Sequence, residues 1–100
     1  MAKKMKPVHP GEILKEDFLV PLELSANKLA RHIMVPPNRI SRIVACEQNV
    51  TANTAVLLSA YFGTTPGFWL NLQKKYELDT AMDSKELQKQ AKAIKPMQAA

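Results

Sequence analysis

Apolar residues recur along this chain with the spacing of short amphipathic helices. Within each segment they lie three and four residues apart, which places them on one face of an α-helix. The segments are bounded by the seven prolines and three glycines of the sequence, residues that begin or end helices because of their backbone geometry. No segment shows the two-residue alternation of a half-buried strand. The pattern therefore predicts an all-α fold.

Capping signals set the limits of six predicted helices. Ser25 and Thr51 stand immediately before periodic apolar segments, where a hydroxyl can accept a hydrogen bond from the first helical turn. Gly63 follows the fourth segment as a left-handed C-terminal residue, and Thr65-Pro66 is a cap followed by a first-turn proline. The predicted helices span about residues 10–19, 26–33, 37–45, 52–62 and 66–78, and a weaker sixth, capped by Asp83 or Ser84, carries Leu87, Ala91 and Ile94.

The second and third predicted helices form a helix-turn-helix. Both are short, the turn between them has three or four residues, and they lie in the most basic part of the chain. Their apolar spacing is typical of that motif, with the small residue Ala30 where the two helices cross closely. The core positions are Leu29, Ala30, Ile33, Val35, Ile40 and Ile43. This arrangement predicts that the third helix enters the major groove of DNA.

The third helix has an apolar face and a polar face. At about 100° per residue, its core side carries Ile40, Ile43 and Val44, and Asn38 and Arg42 lie opposite. Arginine can bind guanine and asparagine can bind adenine through paired hydrogen bonds in the major groove. The expected base contacts are Asn38, Ser41 and Arg42. Arg39 lies on the flank between the two faces and is expected to contact a phosphate.

The charge of the chain favours an anionic partner. Its net charge is +5, and no acidic residue lies between Leu24 and Cys46, a stretch that contains two arginines of the third helix. A solvated helix face with scattered charges is the alternative explanation. Glu47 would repel a phosphate, so its neighbours are better contacts in that loop. The expected phosphate contacts are Ser25, Asn27, Lys28, Arg39, Gln48 and Asn49.

Other classes of protein find little support in the sequence. No apolar run approaches the roughly 18 to 20 residues of a membrane span, and the basic N-terminus lacks the apolar region of a secretion signal. One cysteine, Cys46, cannot form an internal disulfide and is expected to be a half-buried filler. No metal-ligand spacing or nucleophile–base pair is present. We therefore expect a cytoplasmic protein that is not an enzyme and that has no cofactor or metal.

The fourth and fifth helices carry more apolar residues than one core face accommodates. A large apolar patch on a chain of this size indicates an interface, and two-fold dimers of helix-turn-helix proteins bind half-sites about 34 Å apart. The expected dimer contacts are Leu57, Tyr61, Phe68 and Leu70. We therefore expect a homodimer that binds a palindromic operator in double-stranded DNA. The alternative is that the surplus apolar residues of the fourth and fifth helices, including Leu78, are buried under the sixth helix of the same chain.

Three segments resemble a known family. SANKLARHIMVPPNRISRIV resembles the helix-turn-helix of lambda-repressor-like (XRE) proteins, and HPGEIL followed by TANTAVLLSAYFGTTPGFWLNLQ resembles the HigA-type antitoxins within that family. The resemblance covers about residues 8–80. It implies a five-helix DNA-binding domain that dimerises and represses its own toxin–antitoxin operon. It also implies that the protein neutralises a RelE-like toxin that cleaves messenger RNA.

The sequence departs from the family pattern at three places. Met34 stands where glycine is common, so a left-handed backbone there would cost about 1 kcal/mol. Pro36 stands where a serine, threonine or aspartate often caps the recognition helix. Cys46-Glu47 replaces the glycine-rich or basic loop that usually follows the third helix.

The sequence divides into an N-terminal arm of residues 1–9, expected to be flexible, a helix-turn-helix domain of residues 10–80 and a C-terminal helical extension and tail of residues 81–100. A sequence-specific DNA-binding antitoxin and autorepressor is the function that the sequence favours. Two alternatives stay open. One is a stand-alone helix-turn-helix regulator without a toxin partner, and the other is an interaction adaptor that has lost DNA binding.

Overall fold

The computed structural model describes residues 6–97, and this part of the chain is helical and contains no strand. Its first helix continues directly into a π-helical segment. The elements are α1 (Pro10–Ile13, continued by the π-helical segment Leu14–Leu19), α2 (Ala26–His32), α3 (Pro37–Val44), α4 (Ala52–Phe62), α5 (Pro66–Met82) and α6 (Lys85–Ala93). The predicted all-α fold is confirmed. None of these helices is long and apolar enough to cross a membrane.

Four of the helices have a serine or threonine as the N-cap residue. The side-chain oxygens of Ser25, Thr51, Thr65 and Ser84 each accept a hydrogen bond from the backbone N–H three residues later. Each bond satisfies a donor that the first turn leaves unpaired. Of the two caps considered for the sixth helix, Ser84 is the one used. The predicted helix starts agree with the structure because these signals are local.

A buried histidine caps α1. The Nδ1 atom of His9 accepts a hydrogen bond from the Gly11 N–H at 2.9 Å, and the imidazole packs edge-on against Tyr76 with ring centroids 4.8 Å apart. Only 4% of His9 is exposed. The last residue of the predicted N-terminal arm is therefore part of the packed domain. Residues 1–5 of that arm lie outside the described residues.

Gly11 allows α1 to approach α3 closely. A Cβ atom at this position would lie 1.8 Å from the carbonyl oxygen of Ile43 and 2.7 Å from its carbonyl carbon. Contacts this short do not occur between real side chains and backbone, so the approach requires a residue without a side chain. The glycine of the HPGEIL segment thus fixes the distance between α1 and the last turn of α3.

Lowering the pH from 7.5 to 5 is expected to destabilise the protein through His9. Burial lowers the pKa of His9 below its ordinary value, against a smaller raising effect of the Glu12 carboxylate. The unfolded chain therefore binds the proton first. The stabilisation by neutral His9 is complete above about pH 6.5, the ordinary pKa of histidine, and is lost as the pH falls through the lowered pKa.

Urea unfolding of the wild type and of His9→Asn at both pH values measures this effect. Asparagine offers a capping oxygen but does not titrate. We expect the wild type to lose more stability than the variant on acidification. An equal loss in both chains would show that His9 does not contribute to the pH dependence.

Three helical segments end at a non-glycine residue in the left-handed region, namely Glu23 (φ 51°), Met34 (φ 60°) and Cys46 (φ 63°). In each case the next N–H donates to a carbonyl five residues back. The bond from Val35 N–H to the Ala30 carbonyl, for example, measures 3.0 Å. This is the Schellman arrangement that glycine usually completes. The turn of the helix-turn-helix therefore keeps this geometry with Met34 in the left-handed conformation.

The core lies where α2, α3, α4 and α5 meet around the π-helical segment. Five of the six predicted core positions of the helix-turn-helix are buried, and the sixth, Val35, is half-buried against them. Trp69 is fully buried, and its indole Nε1 donates a hydrogen bond to Thr64 Oγ1 at 2.9 Å. Leu72 is half-buried and packs on the same cluster. The prediction that Trp69 and Leu72 belong to the core is confirmed.

The C-terminal part of the chain differs from the prediction. Helix α5 ends at Met82 and not near Leu78, because no proline or glycine interrupts it and an ion pair between Lys75 and Asp79, 2.9 Å apart and one turn distant, spans the expected end. Helix α6 forms with the predicted Leu87 and Ala91 and packs on α5, but it ends at Ala93, so the predicted Ile94 lies just beyond it in extended backbone. Its apolar residues do not enter the core, since none of its residues is buried. Residues 98–100 lie outside the described residues.

Candidate nucleic-acid interface

The two faces of α3 lie as the sequence predicts. Ile40 and Ile43 are fully buried, whereas Asn38, Ser41 and Arg42 are exposed. The structure thus brings the three expected base contacts together on the outer face of one helix. Asn38 and Arg42 are four residues apart and are neighbours on the helix surface, so their side chains can contact adjacent base pairs. Arg39 is half-buried on the flank, between the two faces.

The basic side chains around α3 are available to an anion. The ion pairs seen within residues 6–97 join Lys74 to Glu77 and Lys75 to Asp79, both on α5. The basic residues of α2 and α3 take part in neither pair. They are Lys28, Arg31, Arg39 and Arg42, and all but the half-buried Arg39 are exposed. The positive charges of α2 and α3 are therefore not neutralised by either of these ion pairs. A surface that binds phosphate requires such charges.

Hydrogen bonds within the helices limit what two of the serines can do. The Ser41 hydroxyl donates to the Asn38 carbonyl oxygen at 3.2 Å, so its oxygen can still accept a hydrogen bond from a base amino group. The Ser25 oxygen accepts from the Lys28 N–H at 3.0 Å, so its hydrogen can still be donated to a phosphate. Each serine is expected to use the half of its hydroxyl that the helix leaves available.

The start of α3 lacks a side-chain cap. Its N-cap residue is Pro36, which makes no side-chain hydrogen bond, and Pro37 fills the first helical position. The N–H of Arg39 bonds to the Pro36 carbonyl at 3.0 Å. The absence of a capping hydroxyl, expected from Pro36, removes one group that often contacts a phosphate.

The loop between α3 and α4, residues 45–51, carries the remaining phosphate candidates. Asn49 is exposed and Gln48 is half-buried. Glu47 is exposed beside them, as expected. The structure thus places two amide side chains in the loop that follows α3.

Cys46 is exposed, and the prediction of a half-buried filler is wrong. The residue takes the left-handed position just after α3, and its side chain is exposed and does not enter the core. Its remaining burial raises the pKa of the thiol, the Glu12 carboxylate acts in the same direction, and Lys15 opposes them. The thiol is therefore protonated at neutral pH and is a weak nucleophile. No group of three or more metal-ligating side chains occurs among residues 6–97.

Gln73 is a residue that the sequence reasoning missed. It is 4% exposed on α5, and its side chain accepts a hydrogen bond from the Val50 N–H of the loop at 2.8 Å. Gln73 lies one turn after Trp69, on the buried face of the helix. A polar side chain at a buried helical position needs a partner, and that rule could have singled it out.

The expected dimer residues fall into two groups. Tyr61 and Phe68 are 40% and 37% exposed, so α6 does not bury them. Leu57 and Leu70 are half-buried and pack against the core of the same chain. The exposed rings are therefore the stronger candidates for contact with a second subunit. Tyr61 also packs against His32, with ring centroids 5.4 Å apart.

Comparison with known proteins places the chain among helix-turn-helix regulators. An uncharacterised HTH-type transcriptional regulator of Haemophilus influenzae is 42% identical over 91 residues, which are 91% of this chain and 85% of the relative. Antitoxin HigA-1 of Vibrio cholerae is 38% identical over 95 residues, 94% of this chain and 87% of the relative. No protein-family model matches the chain.

A solved structure extends the likeness to three dimensions. The Pseudomonas aeruginosa antitoxin HigA with the higBA promoter superposes with a TM-score of 0.86 at 35% identity, and the match covers 93% of this chain and 100% of that one. These relatives are named as antitoxins and transcriptional regulators and not as enzymes. The expectation of a non-enzymatic protein agrees with them.

Proposed function

The chain belongs to the HigA-type antitoxin family of helix-turn-helix proteins, and from this premise we propose that it is a DNA-binding antitoxin that represses its own operon. The observation that carries the proposal is the exposed face of α3, where Asn38, Ser41 and Arg42 lie opposite a fully buried apolar face. The P. aeruginosa relative, whose structure contains promoter DNA, supports a DNA partner for this fold.

Sequence recognition is assigned to α3 in the major groove. The Arg42 guanidinium would donate two hydrogen bonds to O6 and N7 of guanine, and the Asn38 amide would pair in the same way with adenine. Ser41 would accept a hydrogen bond from a base amino group, because its own hydrogen is donated to the Asn38 carbonyl. These contacts distinguish base pairs, whereas contacts to the backbone do not.

Phosphate contacts are assigned to residues that flank this face. Asn27 and Lys28 project from the first turn of α2, Arg39 from the flank of α3, and Ser25 from the cap of α2. Gln48 and Asn49 follow α3 in the loop. Such contacts supply affinity that is independent of sequence and is weakened by salt.

A homodimer is the proposed form on DNA. A single recognition helix of eight residues contacts too few base pairs for specific binding, and a two-fold dimer doubles the contacts on a palindromic operator. Tyr61 and Phe68 would form the exposed part of the interface, continued by the half-buried Leu57 and Leu70. Sedimentation at micromolar concentration measures this oligomeric state.

The toxin partner is the second half of the proposal. A RelE-like toxin that cleaves messenger RNA is the class we propose, and both proteins would act in the cytoplasm. The V. cholerae relative, itself named an antitoxin, supports a toxin partner. Relief of growth arrest on co-expression with the product of the neighbouring reading frame tests this part separately from DNA binding.

A stand-alone transcriptional regulator is the second candidate function. The H. influenzae relative, named as an HTH-type regulator, favours it. The same α3 face serves DNA recognition in both candidates, so the co-expression experiment distinguishes them and the DNA-binding experiment does not.

Arg42→Ala is expected to weaken specific binding by about 1 to 3 kcal/mol, because its bond to guanine is removed, and to relax preference at one base pair in each half-site. Arg42 is exposed, so its removal leaves the core intact. The measurement is fluorescence anisotropy with two duplexes of equal length. One carries the promoter region of the chain's own gene, and the other has a random sequence.

Lys28→Ala is the matched control, because it removes one exposed positive charge at a proposed phosphate contact. It should weaken both duplexes alike and lower the slope of log K against log salt by about one for each phosphate that is no longer neutralised. If Arg42→Ala also weakens both duplexes equally, Arg42 contacts only the backbone and the assigned base contact is wrong. If neither duplex binds the wild type, the proposed function itself is wrong.

A further inference from the structure

Gln73 connects the middle of α5 to the loop that follows α3. Its side-chain oxygen accepts the Val50 N–H at 2.8 Å, and its side-chain nitrogen donates to Glu77 Oε2 at 2.9 Å. Val50 requires an acceptor and the Glu77 carboxylate requires a donor, so the two partners fix the orientation of the amide. Gln73 and Val50 are 4% and 2% exposed, and water therefore does not compete readily for this bond.

The hydrogen bond between Gln73 and Val50 joins the loop to a segment that is distant in the sequence. The other hydrogen bonds that loop residues make within the described chain are local, such as those from Cys46 N–H to the Ile43 carbonyl and from Glu47 N–H to the Arg42 carbonyl. The bond to Gln73 spans 23 positions. It fixes the end of the loop immediately after Gln48 and Asn49, whereas α3 fixes its beginning.

We propose that Gln73 is a positioning residue for DNA: it holds the loop so that the amides of Gln48 and Asn49 meet a phosphate. The inference rests on the proposed function. Amide side chains and backbone N–H groups are ordinary donors to phosphate oxygens. A loop anchored at both ends loses less conformational freedom on binding than a loop anchored only at α3. Gln73 does not contact DNA in this arrangement and acts through Val50.

Gln73→Met tests the proposal, because methionine is similar in length but its thioether sulfur is only a weak acceptor for the Val50 N–H. Binding of the promoter duplex and of the random duplex should weaken by about the same factor, roughly three- to tenfold, because the released loop must then be ordered on binding. Base preference should not change, since the α3 face is untouched. The salt dependence should also stay the same, because no charge is removed.

A double-mutant cycle separates positioning from a general loss of structure. Gln73→Met is combined with Gln48→Ala and Asn49→Ala, and in that background it should weaken binding less than twofold, because the amides that it positions are already absent. A purely structural role would give the same fold-change in both backgrounds and would overturn the proposal. Normal affinity of the Gln48→Ala/Asn49→Ala chain would also overturn it.

Amide hydrogen exchange tests the connection without DNA. The Val50 N–H should be protected in the wild type and should exchange faster in Gln73→Met, while amides in the middle of α5 keep their protection. Unchanged protection of Val50 would overturn the inference even if the chain binds DNA. Conversely, if the wild type binds neither duplex, the proposed function fails and the positioning role fails with it, whatever the exchange shows.

Glu77→Ala is the second variant in case Gln73→Met does not fold. Glu77 is an exposed residue of α5, so its loss leaves the core intact, but it releases the Gln73 amide from one of its two partners. We expect the Val50 N–H to exchange faster and both duplexes to bind about two- to threefold more weakly. The salt dependence is not compared for this variant, because it removes a negative charge. If Gln73→Met is unfolded and Glu77→Ala keeps both the protection of the Val50 N–H and the affinity for DNA, the proposal is contradicted.

Discussion

Gly11→Ala is expected to lower the free energy of unfolding by about 3 kcal/mol, at the upper end of the usual cost of overpacking. The new Cβ would lie 1.8 Å from the Ile43 carbonyl oxygen. That atom belongs to the backbone of α3, so it cannot move aside as a flexible side chain could. The higher helix propensity of alanine, worth about 1 kcal/mol, is too small to compensate. Urea unfolding followed by circular dichroism measures the change.

Gly67→Ala is the matched control for that substitution. Gly67 also follows a proline in the first turn of a helix, but the atom nearest to a new Cβ is Thr65 Oγ1 at 3.9 Å, an ordinary contact. This variant should be more stable than the wild type by about 0.4 to 1 kcal/mol, because alanine restricts the unfolded chain. Equal stability of the two variants would show that α1 and α3 do not approach as closely as described.

Trp69→Ala is expected to cost about 3 to 5 kcal/mol, the range for loss of a large buried ring. All three phenylalanines of the sequence surround the single tryptophan. The ring centroids of Phe18, Phe62 and Phe68 lie 5.1, 6.4 and 5.0 Å from that of Trp69. A loss of this size is comparable to the whole stability of a small domain, so the variant should be largely unfolded at room temperature.

Two further variants divide this effect between packing and hydrogen bonding. Trp69→Phe keeps most of the apolar contact and should cost clearly less than Trp69→Ala, while Thr64→Val removes only the partner of the indole N–H and should cost about 1 to 3 kcal/mol. Circular dichroism must be the probe, since the variants at position 69 have no tryptophan to fluoresce. A Trp69→Ala chain as stable as Trp69→Phe would contradict the central position of this ring.

The sequence predicts those features of the fold that depend on neighbouring residues. Caps such as Ser25 and Thr65 act within one turn, and the periodicity of α3 separates Ile40 from Arg42 without any knowledge of the rest of the fold. The starts of the helices and the orientation of the α3 face could therefore be predicted. The roles of the individual side chains on that face stay predictions.

Features that depend on contacts between distant segments could not be predicted. The requirement for glycine at position 11 comes from the Ile43 carbonyl, 32 positions away, and the role of Gln73 comes from the N–H of Val50. The end of α5 lies beyond its predicted position because residues 79–82 contain no stop signal, and an apolar residue such as Leu78 suits either a helix end or its continuation. The exposure of Cys46 follows from the left-handed turn after α3, which the sequence does not predict at this residue.

Helix α6 differs from the other helices in how it is stabilised. It has nine residues, none of them buried, whereas an isolated helix shorter than about 12 to 15 residues is only marginally stable in water. Its stability therefore comes from the Ser84 cap, from local propensity and from its contact with α5. Local opening of α6 should require much less free energy than opening of the core. We therefore expect α6 to unfold and refold locally while the rest of the described chain, including the α3 face, stays in place.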